Sequence, residues 1–454
     1  MFAPRTGRPA VLSEGRRDDT EDRKDDRLDA VVSTVRTYAN RTEVPQVHGG
    51  PGQKATVTPT YSALARRVLP DAHRSTEPRL LLPRNLNDDE TDTLHNPAFP
   101  FTQDVRRLAV VHADLSGLGA YYKRETAGKF AEQRLKLSKD IEEAIQNAVR
   151  GAIAAVEQGN ETRDPGLTEA AYKVNWDGSK PYWAYKAKRV DDDQKGKPDH
   201  ATVRIAAFRP IVAGGDDVTF LIRSDLAFDF TRALLEGIER APYGLSACAG
   251  IALVKATTPF LLSHGLAEEL CKFAKKSAKT ICNTPPIPSA LAFYEPVESL
   301  GESYEDIALK TDLLAGGARL TACPYGVGAG PPAGKVTPSL DDLLALANAL
   351  RKLKGRGALR ELRTDLESGR EVAEAQWRRW RQVRKQSLTD VDAALKKLGV
   401  ADPTQTFINT TPKTPHTSLF DALTIVGLHK AQPADDEGRT PATAATATTA
   451  AAAG

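Results

Sequence analysis

The sequence predicts an α+β fold: a ferredoxin-like sheet on the split β-α-β plan, followed by a helical C-terminal domain, with partly disordered termini. Three observations predict it. Between residues 104 and 300 short apolar runs and amphipathic stretches follow the order β-α-β-β-α-β. Two of those runs flank "AGGDD" at 213–217, and adjacent glycines between apolar runs signal a hairpin. Beyond residue 303 the apolar spacing becomes helical and cap residues recur.

The 454 residues suffice for two or three domains. The 62 basic and 59 acidic residues leave a net charge of +3, so no global field draws the chain to nucleic acid. Cys248, Cys271, Cys282 and Cys323 form no C-x-x-C pair and read as buried thiols of a reducing cytosol, not as a disulfide or zinc framework. No apolar run approaches the roughly 18 residues of a membrane span. The N-terminus lacks the apolar core of a signal peptide, so no membrane partner and a cytoplasmic location are expected. Residues 1–103 read as an irregular arm with one short helix at "TYSALARRVL" (60–69).

The ordered signal starts at "LAVVHAD" (108–114), an apolar, β-branched run that predicts a buried strand ending at Asp114. "LSGLG" (115–119) is a turn. Phe130, Leu137, Ile141, Ile145, Ala148 and Ile153 then recur near helical spacing and predict a helix over roughly 121–157. Residues 158–200 are polar and read as an insertion. "TVRIAAFRPIV" (202–212) and "VTFLIR" (218–223) predict two hairpin strands, with Gly214 and Gly215 central to a type I′ turn and Pro210 marking an edge or bulge. Ser224 caps the next helix, which sets Leu226, Phe230, Ala233, Leu234 and Ile238 on one face. "GLSACAGIALVK" (244–255) is a further buried strand. Thr258 as cap and Pro259 as first helical residue open a helix to Lys279, and "PSALAFYE" (288–295) adds an edge strand. An antiparallel sheet with its helices on one face is the expected result. Residues 301–430 form the helical domain, where Ser339 with Asp342 and Thr389 with Asp392 match capping boxes. Residues 431–454 are low in complexity and expected to be disordered.

The chemistry follows from topology. In the split plan the first strand is central, so Asp114 lies beside Asp216 and Asp217. Three adjacent carboxylates repel one another unless a cation sits between them. Hard oxygen donors with phosphate co-ligands suit Mg²⁺, or Mn²⁺. Small residues in "LSGLG" let backbone N–H groups approach a triphosphate, and Lys275, Lys276 and Lys279 supply balancing charge. Each feature alone has an ordinary reading: a solvated hairpin tip, a plain turn, an exposed helix face. Their order along the chain points to metal chemistry. "GAGPPAGKVT" (328–337) imitates a P-loop, but Ala329 and Val336 break the spacing. His112 and His264 read as core or surface histidines. The basic segment holding Trp377 and Trp380 is either an exposed helix face anchored by its tryptophans or a surface for single-stranded nucleic acid.

"RLAVVHADLSGLG", "RPIVAGGDDVTFLI", "LSACAGIALVK" and "PFLLSHGLAEELCKFAKKSAK" together resemble the palm (GGDD) domain of the large polymerase-like subunit of type III CRISPR systems and its stand-alone single-palm relatives. The similarity spans about 107–300, and 301–430 more loosely. It implies a two-metal nucleotidyltransferase that converts ATP to a cyclic oligonucleotide messenger in antiviral defence. By position it makes Asp114, Asp216 and Asp217 the metal-binding acids. It sets Gly214 and Gly215 in the turn, Ser116 and Gly117 along the triphosphate, and Lys275 near the phosphates. The family's large subunit also carries an HD nuclease, a second palm and a zinc-binding segment, for which no His-Asp dipeptide or cysteine pair stands here. With one palm, a homodimer would bring two nucleotides together. A diguanylate cyclase of the GGDEF type, and a non-catalytic RNA-binding or scaffold subunit of a CRISPR-type complex, are the alternatives.

Overall fold

The computed structural model describes residues 63–69, 80–83, 107–119, 131–163, 199–214, 216–241, 244–282, 287–296, 313–328, 338–353, 356–383, 388–408 and 414–429, with a few short strands and single residues elsewhere. Most of the N-terminal arm, Gly215, the P-loop-like stretch from 329 and the tail from 430 lie outside the described residues.

A six-stranded mixed sheet is the centre of the fold. Its strands are β1 (Arg107–Ser116), β2 (Phe208–Gly214), β3 (Asp217–Arg223), β4 (Ser246–Lys255), β5 (Ala290–Tyr294) and β6 (Tyr325–Gly326). They lie in the order β2-β3-β1-β4-β5-β6. The first four strands are antiparallel neighbours with β1 central, which is the split β-α-β plan. β5 runs parallel to β4, so it needs a crossover helix, and β6 closes the far edge. "PSALAFYE" therefore forms its strand but is not the edge.

Three helices cover the sheet: α1 (Ala131–Arg163), α2 (Ala227–Glu239) and α3 (Phe260–Ile281). Strand alternation fixes their sides. Phe220 on β3 meets Phe230 on α2 with ring centroids 4.9 Å apart. His112, its register partner Gly250, and Asp114 face α3. Helices thus lie on both faces, not one. β4 shows why: nine of its ten residues are buried, a continuous apolar run that only a doubly covered strand tolerates.

Several sequence expectations shift by a few residues. Of 121–130 the structure describes only Tyr121 and Glu125, and α1 begins at Ala131. "TVRIAAFRPIV" divides: Asp199–Ile205 joins a separate four-stranded sheet, while β2 starts at Phe208. The insertion contributes Val174–Trp176 and Tyr185–Arg189 to that second sheet, whose two outer strands are Val174–Trp176 and Leu80–Leu81. Pro210 sits on the edge strand beside a register shift, as a residue without an N–H should. Ser224 opens a 3₁₀ turn, and α2 is capped by Leu226 without a side-chain bond. α3 starts at Phe260 with Pro259 as its N-cap.

The C-terminal region contains α4 (Leu340–Arg351), α5 (Arg356–Glu367), α6 (Arg370–Val383), α7 (Thr389–Lys397) and α8 (Leu419–Leu428). Ser339 does cap α4, accepting from the Asp341 N–H at 3.2 Å. At α7 the capping box is absent. Leu388 is the N-cap, and Asp392 instead takes both Arg381 nitrogens at 2.6 and 2.9 Å. α8 is buried along nearly all its length and packs on α4 and α5.

Candidate active site

The site is assembled by sheet register. Asp217, the first residue of β3, pairs with Asp114 of β1. Directly opposed residues share a face, so both carboxylates stand on the α3 side of the sheet. The hairpin is one residue out of step with the type I′ expectation: Gly214 pairs with Asp217, so the central residues are Gly215 and Asp216. A type I′ turn would need positive φ at Asp216, and among the described residues only glycines have positive φ. Gly214 is therefore a strand residue with open space around its α-carbon. Asp216 is exposed at the tip, and its carbonyl accepts the Leu115 N–H at 3.1 Å, tying the tip back to β1.

Electrostatics mark Asp217. Its carboxyl is pushed above the ordinary aspartate value, first by desolvation, then by the neighbouring charges of Asp216 and Asp114. Among the described residues no three His, Cys, Asp or Glu side chains converge in a metal-ligating arrangement. The structure brings Asp114 and Asp217 together and leaves Asp216 at the outer rim.

Lys275 reaches across from α3. Its Nζ donates to Asp114 Oδ2 at 2.7 Å and to the Leu115 carbonyl at 2.8 Å. Lys276 pairs with Glu305, and Lys279 is exposed. Ser116 ends β1 buried, its hydroxyl directed at Cys248 Sγ, 3.7 Å away. Gly117 follows with φ 77°, a left-handed conformation that glycine adopts without strain, and its carbonyl accepts from the Tyr121 N–H.

Two residues below the carboxylates lies a polar chain that the sequence reading did not assign to the site. His112 Nδ1 is 3.0 Å from Thr219 Oγ1, which is 3.5 Å from His264 Nε2. Glu268 lies 3.8 Å from His264 Nδ1. Burial, then the charge of His264, holds His112 below its ordinary pKa. Period-two alternation is the signal that could have found part of this polar chain, since it sets His112 on the face of Asp114 and Thr219 on the face of Asp217. His264 had no such signal, because nothing in the sequence says which face α3 covers.

The tryptophans resolve differently. Trp377 is fully buried, donates to the Pro403 carbonyl at 2.8 Å and stacks on Trp380, the ring centroids 5.0 Å apart. The helix-anchoring role holds, and the Trp377 face is closed to base stacking. Cys248, Cys271 and Cys323 are buried free thiols. Among the described residues no helix is long and apolar enough to cross a membrane.

No family model and no curated protein matches the chain. Among solved structures it is similar to Csm1 of T. onnurineus, with 15% identity, a TM-score of 0.38 and coverage of 89% of this chain and 51% of that one. It is also similar to a Csm1-Csm4 cassette in complex with cA4, with 12% identity, a TM-score of 0.36 and coverage of 88% and 50%. A cassette in complex with one ATP gives 13% identity, a TM-score of 0.36 and coverage of 89% and 51%. The chain spans about half the length of each of these neighbours.

Proposed function

We propose that this protein is a metal-dependent nucleotidyltransferase that joins nucleoside triphosphates, ATP foremost, into a cyclic di- or oligonucleotide. The observation that carries the reading is the cross-strand pairing of Asp114 with Asp217, next to Asp216 and within reach of Lys275. The oxygen-only donor set, and the desolvation and neighbouring carboxylates that raise the Asp217 pKa, fit a hard divalent cation such as Mg²⁺ or Mn²⁺. Asp114 and Asp217 would hold it, with Asp216 joining from the tip. When bound, it supplies Lewis acidity toward an attacking 3′-hydroxyl and a departing pyrophosphate.

The chain's own groups do the rest. Asp114 and Asp217, fixed by the β1–β3 ladder, set the position of the reacting phosphate, and such positioning is a large part of phosphoryl-transfer catalysis. Gly214 leaves backbone room beside them. Lys275 brings a positive charge to the side of the site where a triphosphate would lie. A homodimer in which two copies face each other and hold donor and acceptor nucleotides belongs to the same proposal. A messenger role in antiviral defence, within or beside an RNA-guided complex, belongs to the same proposal.

The test is incubation with Mg²⁺ and each nucleoside triphosphate in turn, followed by mass spectrometry. A cyclic product and pyrophosphate from ATP, absent in an Asp216→Ala/Asp217→Ala protein, is the expected result. Equal activity in that variant would remove the hairpin from the mechanism, and cyclisation by a monomer in sedimentation would remove the dimer.

A further inference from the structure

We propose that Lys275 is a latch: in the nucleotide-free protein its ammonium occupies Asp114 and keeps that carboxylate from a divalent ion until a triphosphate draws the lysine away. The proposal rests on the reading of Asp114 as a metal ligand and adds how its access is regulated. The geometry is specific. Nζ has two acceptors on β1, Asp114 Oδ2 at 2.7 Å and the Leu115 carbonyl at 2.8 Å, so it is held in place from two directions. The pair is partly sheltered, with side-chain exposures of 22% for Lys275 and 30% for Asp114, where solvent screens charge less than at a free surface. An ammonium and a divalent cation on one carboxylate repel strongly over a few ångströms. The two therefore compete for Asp114.

Triphosphate resolves the competition. It offers the ammonium several negative oxygens in place of one carboxylate, and the flexible four-carbon stem of lysine lets Nζ move without moving α3. Released, Asp114 joins Asp217 as a ligand. Nucleotide and metal then bind cooperatively, because each removes the obstacle to the other.

Mn²⁺ binding to the nucleotide-free protein, followed by the EPR signal of free Mn²⁺, tests the latch without any turnover. Lys275→Gln and Lys275→Met are compared with wild type, the Met variant keeping the length of the apolar stem. Circular dichroism checks that each variant is folded. Both variants should bind Mn²⁺ at least about tenfold more tightly, the effect of removing one cation adjacent to the site. Adding Asp114→Asn to either should abolish the gain. Binding no tighter than wild type in the folded variants, or a gain that survives Asp114→Asn, would overturn the proposal. Since no nucleotide is present, a positive result stands even if no nucleoside triphosphate is turned over, in which case the proposed reaction fails and the latch does not.

Discussion

Gly250 sits where α3 crosses β4, and a Cβ built there would lie 2.1 Å from the Ala267 carbonyl oxygen and 2.6 Å from the Cys271 nitrogen. Both are backbone atoms, so no side-chain rotation relieves the overlap. Gly250→Ala should lift α3 from the sheet, cost about 3 kcal/mol, the upper part of the usual overpacking range, and separate Lys275 from Asp114. Gly265 lies on the same helix with nothing within 4 Å of its Cβ position. Gly265→Ala should stabilise by ~0.5–1 kcal/mol through helix propensity alone. Urea midpoints for the two variants should move in opposite directions; movement in the same direction would show that close packing at Gly250 is not what fixes α3. At this scale the sequence showed where Asp114 and Asp217 are but not what sets their partners. "SACAGIALVK" reads as a buried strand with or without its glycine. The need for glycine arises from a helix contact that no local pattern encodes.

Among the elements, strands were legible where their pattern was strong, and helix starts were less so. A short apolar, β-branched run such as "LAVVHAD" reads as a buried strand, and its neighbours follow from the split plan. Caps depend on which of several polar residues adopts extended backbone, and that choice is made by packing. Ser224, Thr258 and Thr389 all looked like caps, yet the helices take Leu226, Pro259 and Leu388. Ser339 is the exception because the chain arrives at α4 extended, with φ −81° and ψ 140°. Its hydroxyl bonds the second helical N–H, and Asp341 and Asp342 add charge at the positive end of the helix dipole. Ser339→Ala should cost ~1 kcal/mol, and Ser339→Asp should recover most of it. Thermal melts of the two variants check this; an unchanged midpoint in the alanine variant would mean the start of α4 is held by its packing alone. β6 was out of reach of any sequence pattern, being two residues long and defined by its pairing with β5.

On the scale of the whole molecule, a buried carboxylate is one of the ties between the sheet and the C-terminal helices. Asp421, in the first turn of α8, has its Oδ2 accept from Thr321 Oγ1 at 3.0 Å, the Ala322 N–H at 2.9 Å and Tyr325 Oη at 2.5 Å. Tyr325 belongs to β6, so the acid connects α8 to the far edge of the sheet. Its burial is complete, and desolvation, outweighing the three hydrogen bonds, raises its pKa from 3.8 to about 7. The sign of the consequence follows. Between those values the folded chain holds a proton that the unfolded chain has lost, so folding is favoured by acid. The contribution of Asp421 to stability is complete below about pH 4, falls as pH rises by at most ~1.4 kcal/mol per unit, and levels off above about pH 7. Asp421→Asn keeps an oxygen acceptor for the three donors and removes the titration. The difference between wild type and variant, measured by urea unfolding from pH 4 to 8, should therefore shift steadily in favour of the variant with rising pH. A difference that does not vary with pH would mean that Asp421 stays ionised in the folded protein and that its three donors outweigh burial. A lone aspartate inside "LFDALTIVGL" is the kind of sequence anomaly that signals such a joint, but only the fold shows that its donors come from residues 321–325, which lead into the edge strand β6.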